Sequence, residues 1–247
     1  MLVQEGPDRR PAADRHLAWS LAMVAGGVNG AGFYAAGFYS SHMTGTVSIL
    51  ADRLAAGSWS LALVSSGIVG CFILGAVVST LLLTYGQRHR QRGIYALSVL
   101  AEAFLLAGLA AIDLWVAEIH RGPLLVFGLS ALMGLQNAIV TRLSDARIRT
   151  THVTGMITDI GIELGHLLYA VAARMRGRVF TADLTRLKLH VPTVLAFLGG
   201  GCLGVLGYKA AGSLVLLGFA LLLAGLALPG LLRARRLRPV ADSSPLP

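Results

Sequence analysis

Apolar and polar positions along this chain sort it into long apolar runs broken by short basic stretches. Six runs are long enough to cross a hydrocarbon core, which takes about 20 apolar residues in a helix. They lie near residues 17–38, 59–85, 94–116, 123–141, 191–209 and 212–232. Two further segments hold charged residues: 43–57 with Asp52 and Arg53, and 153–173 with Asp159, Glu163 and His166. The pattern predicts an all-α polytopic membrane protein, with six transmembrane helices and two re-entrant or half-buried helices.

Each of those two segments opens on the same motif. Ser41-His42-Met43-Thr44-Gly45 recurs as Thr151-His152-Val153-Thr154-Gly155. An amide-bearing run precedes each copy: Gly27-Val28-Asn29-Gly30-Ala31 and Gly134-Leu135-Gln136-Asn137-Ala138. Downstream, Phe72-Ile73-Leu74-Gly75 is echoed by Phe197-Leu198-Gly199-Gly200. A duplication of this kind predicts two membrane repeats, residues 17–116 and 123–232. A short outer loop at 117–122 joins them, and tails at 1–16 and 233–247 flank them.

Composition removes the soluble classes. Hydrophobic residues make up 55% of the 247, charged residues only 13%, and the mean hydropathy is +0.70. No soluble domain of this length hides that much apolar surface, so the lipid bilayer is the expected solvent. The net charge of +9 does not point to nucleic acid, because the arginines punctuate apolar runs where topology signals belong. If neither motif segment crosses, 18 of the 21 basic residues fall on one side and only Arg53, Arg121 and Lys209 on the other. If both cross, the count is 14 against 7, and if only the second crosses, 10 against 11. The positive-inside rule therefore favours six spans with both termini cytoplasmic, in the inner (plasma) membrane. In that topology the three-span repeats are inverted, and the motif copies meet near the midplane. Cys71 and Cys202 lie in apolar runs and suggest no disulfide.

Several residues are candidates for a pathway or a solute site. Thr44, Gly45, Thr154 and Gly155 suit the start of a helix, whose free N–H groups favour an anionic or dipolar solute. His42 and His152 flank the same point, and an imidazole can relay protons. Asn29, Gln136 and Asn137 lie mid-span, where an amide faces the protein interior to find a partner. They line a pathway or tie helices together. Glu102 is an isolated carboxylate within a span, the kind of group that marks function. Asp159 and Glu163 share a helix face with His152 and His166. The Glu163–His166 spacing occurs in carboxylate metal sites, but the first repeat offers only Asp52 and Arg53 in the comparable region, so no metal is assigned. The alternatives for that face are a solvated stripe or the wall of a hydrated pathway. Asp113 and Glu118 are expected to be solvated at the outer end of the third span. The glycines of the first and fifth spans read as close helix packing.

The two motif regions together resemble the YoaK family of bacterial integral membrane proteins, over about residues 17–232. The run Met133-Gly134-Leu135-Gln136-Asn137-Ala138 followed by Thr150-Thr151-His152-Val153-Thr154-Gly155 carries the likeness. Family members carry Phe-Met-Ser-Gly-Asn where this chain has His42-Met43-Thr44-Gly45-Thr46. The resemblance implies a multi-span inner-membrane protein and supplies no activity.

The expected function is a small-solute transporter or channel. The alternatives are a non-transporting membrane partner or assembly protein and, less favoured, an intramembrane enzyme. No Gly-x-Ser-Gly or His-Glu-x-x-His signature is present, so the chain is not read as an enzyme and no cofactor is expected. The implied partners are the lipid bilayer and a small solute, with a homo-oligomer left open.

Overall fold

The computed structural model describes residues 11–89, 91, 93–144, 150–180 and 183–236. Among them are eight helices and no strand: α1 (Pro11–Ala36), α2 (Met43–Ala55), α3 (Trp59–Arg88), α4 (Ile94–Trp115), α5 (Glu118–Leu143), α6 (Val153–Met175), α7 (Thr185–Ala211) and α8 (Leu214–Arg236). The tails used in the charge count lie largely outside the described residues, as do Arg90, Arg92, Arg147 and Arg149.

Six helices, α3 to α8, are long and apolar enough to cross a membrane. The number matches the expectation, but the set does not. α6 qualifies at 23 residues, whereas α1 does not. Asn29, Trp19 and a series of glycines dilute the apolar character of α1. Among the described residues α1 nevertheless runs against α7 more extensively than any other helix pair.

Two boundaries also move. The expected outer loop at 117–122 is helical from Glu118, and α5 runs through Pro123. The basic stretch before the fifth span is helical from Thr185, and α7 runs through Pro192. Each proline lies in the second turn, where it removes one helical hydrogen bond and its ring crowds the carbonyl four residues earlier.

The packing is unchanged when the first four helices are exchanged with the last four. α1 packs on α7 as α5 packs on α3, α2 stands on α3 as α6 stands on α7, and α4 meets α8. The seams are built alike at the atomic level. A Cβ on Gly26 would lie 2.0 Å from the Phe197 carbonyl oxygen, and one on Gly134 would lie 1.9 Å from that of Phe72. Likewise a Cβ on Gly200 would meet the Met23 carbonyl oxygen, and one on Gly75 that of Ala131, each at 1.9 Å. Only glycine allows backbones to approach so closely. The close-packing role expected of the small residues thus holds at Gly26, Gly200 and Gly204, while Gly199 meets nothing within 4 Å.

These contacts also give direction. Met23, Gly27 and Gly30 meet Gly200, Gly204 and Val205 in rising order, so α1 and α7 run parallel. α4 runs antiparallel to α8, because Gly93 meets Ala234 while Asp113 meets Ser213. Short turns set α3, α5 and α8 against α4 and α7. The three helices α1, α4 and α7 therefore point one way, and α3, α5 and α8 the other. A two-fold that exchanges α1 with α5 must lie across the helices, so the repeats are inverted.

The apolar core sits where α1, α4, α5 and α8 meet, around Leu21, Leu106, Leu132 and Leu223. α2 and α6 stand at the periphery.

Candidate functional site

Each motif is held at depth by an asparagine one helix earlier. Asn29 on α1 accepts hydrogen bonds through Oδ1 from the Ser41 backbone N–H and the Ser41 hydroxyl, both at 3.0 Å. Asn137 on α5 accepts through Oδ1 from the Thr151 hydroxyl at 2.6 Å. The chain thus leaves the end of α1, turns at Gly37 (φ 69°), and returns two helical turns to the level of Asn29 before α2 begins. In the second repeat the Thr151 hydroxyl likewise returns to the level of Asn137 before α6 begins. The matched amides are Asn29 and Asn137, which shifts the register read from the sequence by one residue and leaves Gln136 opposite Val28.

His42 and His152 then occupy the N-cap positions of α2 and α6, with no side-chain capping bond at either start. The His42 carbonyl accepts the first helical bond from the Thr46 N–H at 3.0 Å, and that of His152 accepts from the Met156 N–H at 3.1 Å. The exposure pattern from Ser41 to Thr46 repeats residue for residue from Thr151 to Met156. Gly45 has a local reason: a Cβ there would lie 2.1 Å from the His42 ring, so a larger residue would have to displace the imidazole.

The two helix starts face one cavity of about 490 Å³. Asn29, Ser41, His42 and Thr44 line it from the first repeat, and Thr151, His152, Thr154 and Gly155 from the second. Tyr39, Val153 and Phe197 complete the wall. No acidic side chain is among these residues. Hydroxyls, imidazoles and the positive ends of two helix dipoles converge there, an arrangement suited to a polar or anionic small molecule. A second cavity of about 430 Å³ lies between α3 and α5, where Asn137 meets Thr80, Thr141 and Arg142.

The other sequence candidates lie elsewhere. Glu102 is buried on α4, away from both cavities, with neither carboxylate oxygen hydrogen-bonded among the described residues. Gln136 is fully buried on α5, and its amide likewise lacks a hydrogen bond there. Asp159 approaches His190 of α7 at 3.6 Å, and Glu163 approaches His166 at 3.7 Å. Asp159, Glu163 and His166 therefore pair within the α6–α7 hairpin, and of that stripe only His152 lines the cavity. Among the described residues no group of three His, Cys, Asp or Glu side chains could hold a metal ion.

Asp113 corrects the expectation of a solvated carboxylate. It is buried, accepting from the Tyr208 hydroxyl at 2.9 Å and the Ser213 hydroxyl at 2.5 Å, with Arg121 Nε at 3.5 Å. The cluster ties the end of α4 to α5, α7 and the start of α8. Those partners lie up to 100 residues away, beyond the reach of periodicity. Glu118, expected to be solvated beside it, has a side chain outside the described residues. Sequence reading also passed over Tyr39, Phe197 and Thr80 as lining residues. Phe197 had a signal, since it matches Phe72 in the downstream echo.

No curated protein and no solved structure matches the chain. A family model does match, over residues 17–228, and the likeness to the YoaK family is compatible with it. Since that span covers most of the chain and both motif copies, the protein belongs to the family described as "Protein of unknown function (DUF1275)".

Proposed function

We propose that the protein is a multi-pass transporter or channel for a small polar or anionic solute, with its site in the cavity between the two helix starts. One observation carries this reading: two copies of one motif, in inverted repeats, line a single cavity at the level where their helices begin. Alternating access needs such a site at the boundary between two symmetry-related halves. The volume, about 490 Å³, falls in the range of small-molecule sites.

Helix direction supports the membrane topology. Between two parallel spans a chain crosses an odd number of times. α3, α4 and α5 supply three crossings between α1 and α7, so α2 and α6 both cross or both do not. α2 has 13 residues, about 20 Å at ~1.5 Å per residue, against a core of about 30 Å. Neither crosses, and the spans are α1, α3, α4, α5, α7 and α8. The charge count then favours both termini on the cytoplasmic side.

Two measurements test the reading. In proteoliposomes, Thr44→Trp and Thr154→Trp fill the cavity from opposite repeats. Both positions are exposed to it, so folding survives. Each variant loses solute flux that the parent shows; full flux in both rules out the cavity as the path. In a background without Cys71 and Cys202, a thiol at Ser58 labels with an impermeant reagent in intact cells and one at Val179 only after lysis. Labelling of both positions from one side refutes the six-span topology.

A further inference from the structure

Contacts between helices fix which residues of the core share a depth. A Cβ on Gly32 of α1 would meet Leu129 of α5, and one on Gly128 of α5 would meet Leu109 of α4. Gly93 and Asp113 of α4 stand beside Ala234 and Ser213 of α8. Each of these pairs is antiparallel, so one contact sets the register. It places Glu102 opposite Leu135 and Gln136 on α5, and opposite Ala224 and Gly225 on α8.

The two-fold gives that depth a meaning. It carries Gly26 and Asn29 onto Gly134 and Asn137, 108 positions later. With Gly32 against Leu129, the level that maps onto itself lies at residues 26–27 on α1 and 134–135 on α5. Gln136 is about 2 Å from that level at ~1.5 Å per residue, and Glu102 faces it. In an inverted repeat this is the bilayer midplane.

Nothing at this depth answers a negative charge. Glu102 is 1% exposed and Gln136 0%, and among the described residues neither side chain has a hydrogen-bond partner. No side chain is titratable from Leu17 to Phe33 on α1, from Gly122 to Thr141 on α5, or from Leu214 to Leu232 on α8. Arg142 and Arg233 at the ends of α5 and α8 are about two turns away or more. So are Tyr95 and Asp113 on α4 itself. On α3, which touches α4 at Gly86 and Ile94, the nearest titratable groups are Cys71 and Tyr85, also about two turns off.

A carboxylate at the midplane without a counter-charge is among the costliest groups a membrane protein can hold. With a proton the same side chain is neutral, and its O–H needs one acceptor. Gln136 Oε1 is an acceptor at the same depth across the α4–α5 seam, itself costly while unpaired. The arrangement occurs once. Val28 stands where the two-fold would place a second Gln136, and α8 offers no second carboxyl. Gln136 is also adjacent to Asn137, which points about 100° around α5 and accepts from Thr151 at the cavity wall.

We infer that Glu102 and Gln136 form a proton-binding site at the midplane, in which Glu102 holds a proton at neutral pH and donates it to Gln136 Oε1, and that α5 links this site to the Asn137–Thr151 bond at the cavity. Proton binding stands whether or not the chain transports. Use of the proton to drive a solute rests on the transport reading.

The test is infrared difference spectroscopy of the full chain in proteoliposomes, stepped from neutral to alkaline pH. The parent shows the C=O stretch of a protonated carboxyl at neutral pH and loses it on the alkaline side. Glu102→Gln, close in shape and neutral, folds and lacks the band. Gln136→Leu keeps the band and moves it to higher frequency, because the hydrogen bond is gone. A parent without the band at neutral pH overturns the site, as does a band that survives Glu102→Gln. A band unmoved by Gln136→Leu overturns the pairing. The link is read from Thr154→Cys in a background without Cys71 and Cys202. Adding Glu102→Gln leaves its thiol-labelling rate unchanged at neutral pH and alters it several-fold where the parent has lost the band. Equal rates at both overturn the link. No solute enters these measurements, so their failure and that of the transport reading are separate results.

Discussion

Replacing Gly26 with alanine puts a methyl carbon 2.0 Å from the carbonyl oxygen of Phe197. Real Cβ atoms essentially never come nearer than 3.0 Å to such an atom, so α1 and α7 must separate by about 1 Å. The obstacle is backbone, which cannot rotate away as a side chain would. Overpacking of this kind costs about 1–3 kcal/mol, and a protein of this size loses roughly 2–4 °C of melting temperature per kcal/mol. The two-fold adds a sharper requirement. Gly134→Ala meets the Phe72 carbonyl oxygen at 1.9 Å in the matching seam, so its cost should equal that of Gly26→Ala. Gly108→Ala is the control: it meets nothing within 4 Å, and alanine's better helix propensity, worth up to about 1 kcal/mol, should leave it neutral or stabilising. The assay is thermal unfolding of the purified protein in detergent, read by loss of monodisperse protein. If Gly26→Ala melts with Gly108→Ala, or if the two seam variants differ by several degrees, the matched close-packed seams are wrong.

Three further outcomes follow from single sites. Gly45→Ala drives a Cβ into the His42 ring at 2.1 Å and displaces the imidazole from the cavity; solute flux falls while the melting temperature, measured in parallel, changes little because the site is peripheral. Asp113→Leu strands the Tyr208 and Ser213 hydroxyls and removes the partner of Arg121, and hydrogen bonds to a charged group are worth about 1.5–3 kcal/mol each; a drop well beyond that of Asp113→Asn in the same melt checks it, and equal melts would show that the cluster does not hold the helix ends. Asp183, outside the spans, accepts from the Thr185 N–H at 2.9 Å, and hydrogen bonding to Thr185 holds its carboxyl below the usual range. A lowered folded-state value means its contribution is complete above the unfolded value of about 3.9 and lost as pH falls through the lowered one; amide exchange at the start of α7 should accelerate across that acid window, and Asp183→Ala should remove the pH dependence.

The sequence by itself determined the class, the duplication and most of the span positions. Apolar runs of 20 residues have one stable environment, and a repeated polar motif inside them is visible without coordinates. The echo of Phe72–Gly75 in Phe197–Gly200 was visible too, but that Gly75 and Gly200 sit in matching close-packed seams is shown only by the structure. What lay beyond the sequence is everything that depends on which helices meet. Asn29 is the counterpart of Asn137, against the register of the strings that surround them, because each amide reaches a motif residue 12 or 14 positions later. Asp113 is buried and Asp159 is paired because partners on α7 and α8 fold against them, and periodicity on one helix carries no information about the next. α6 looks like a span by length and composition, yet its direction is set by α7, which is set in turn by α1. Burial of a polar side chain is a property of its neighbours in space, and only the tertiary structure supplies them.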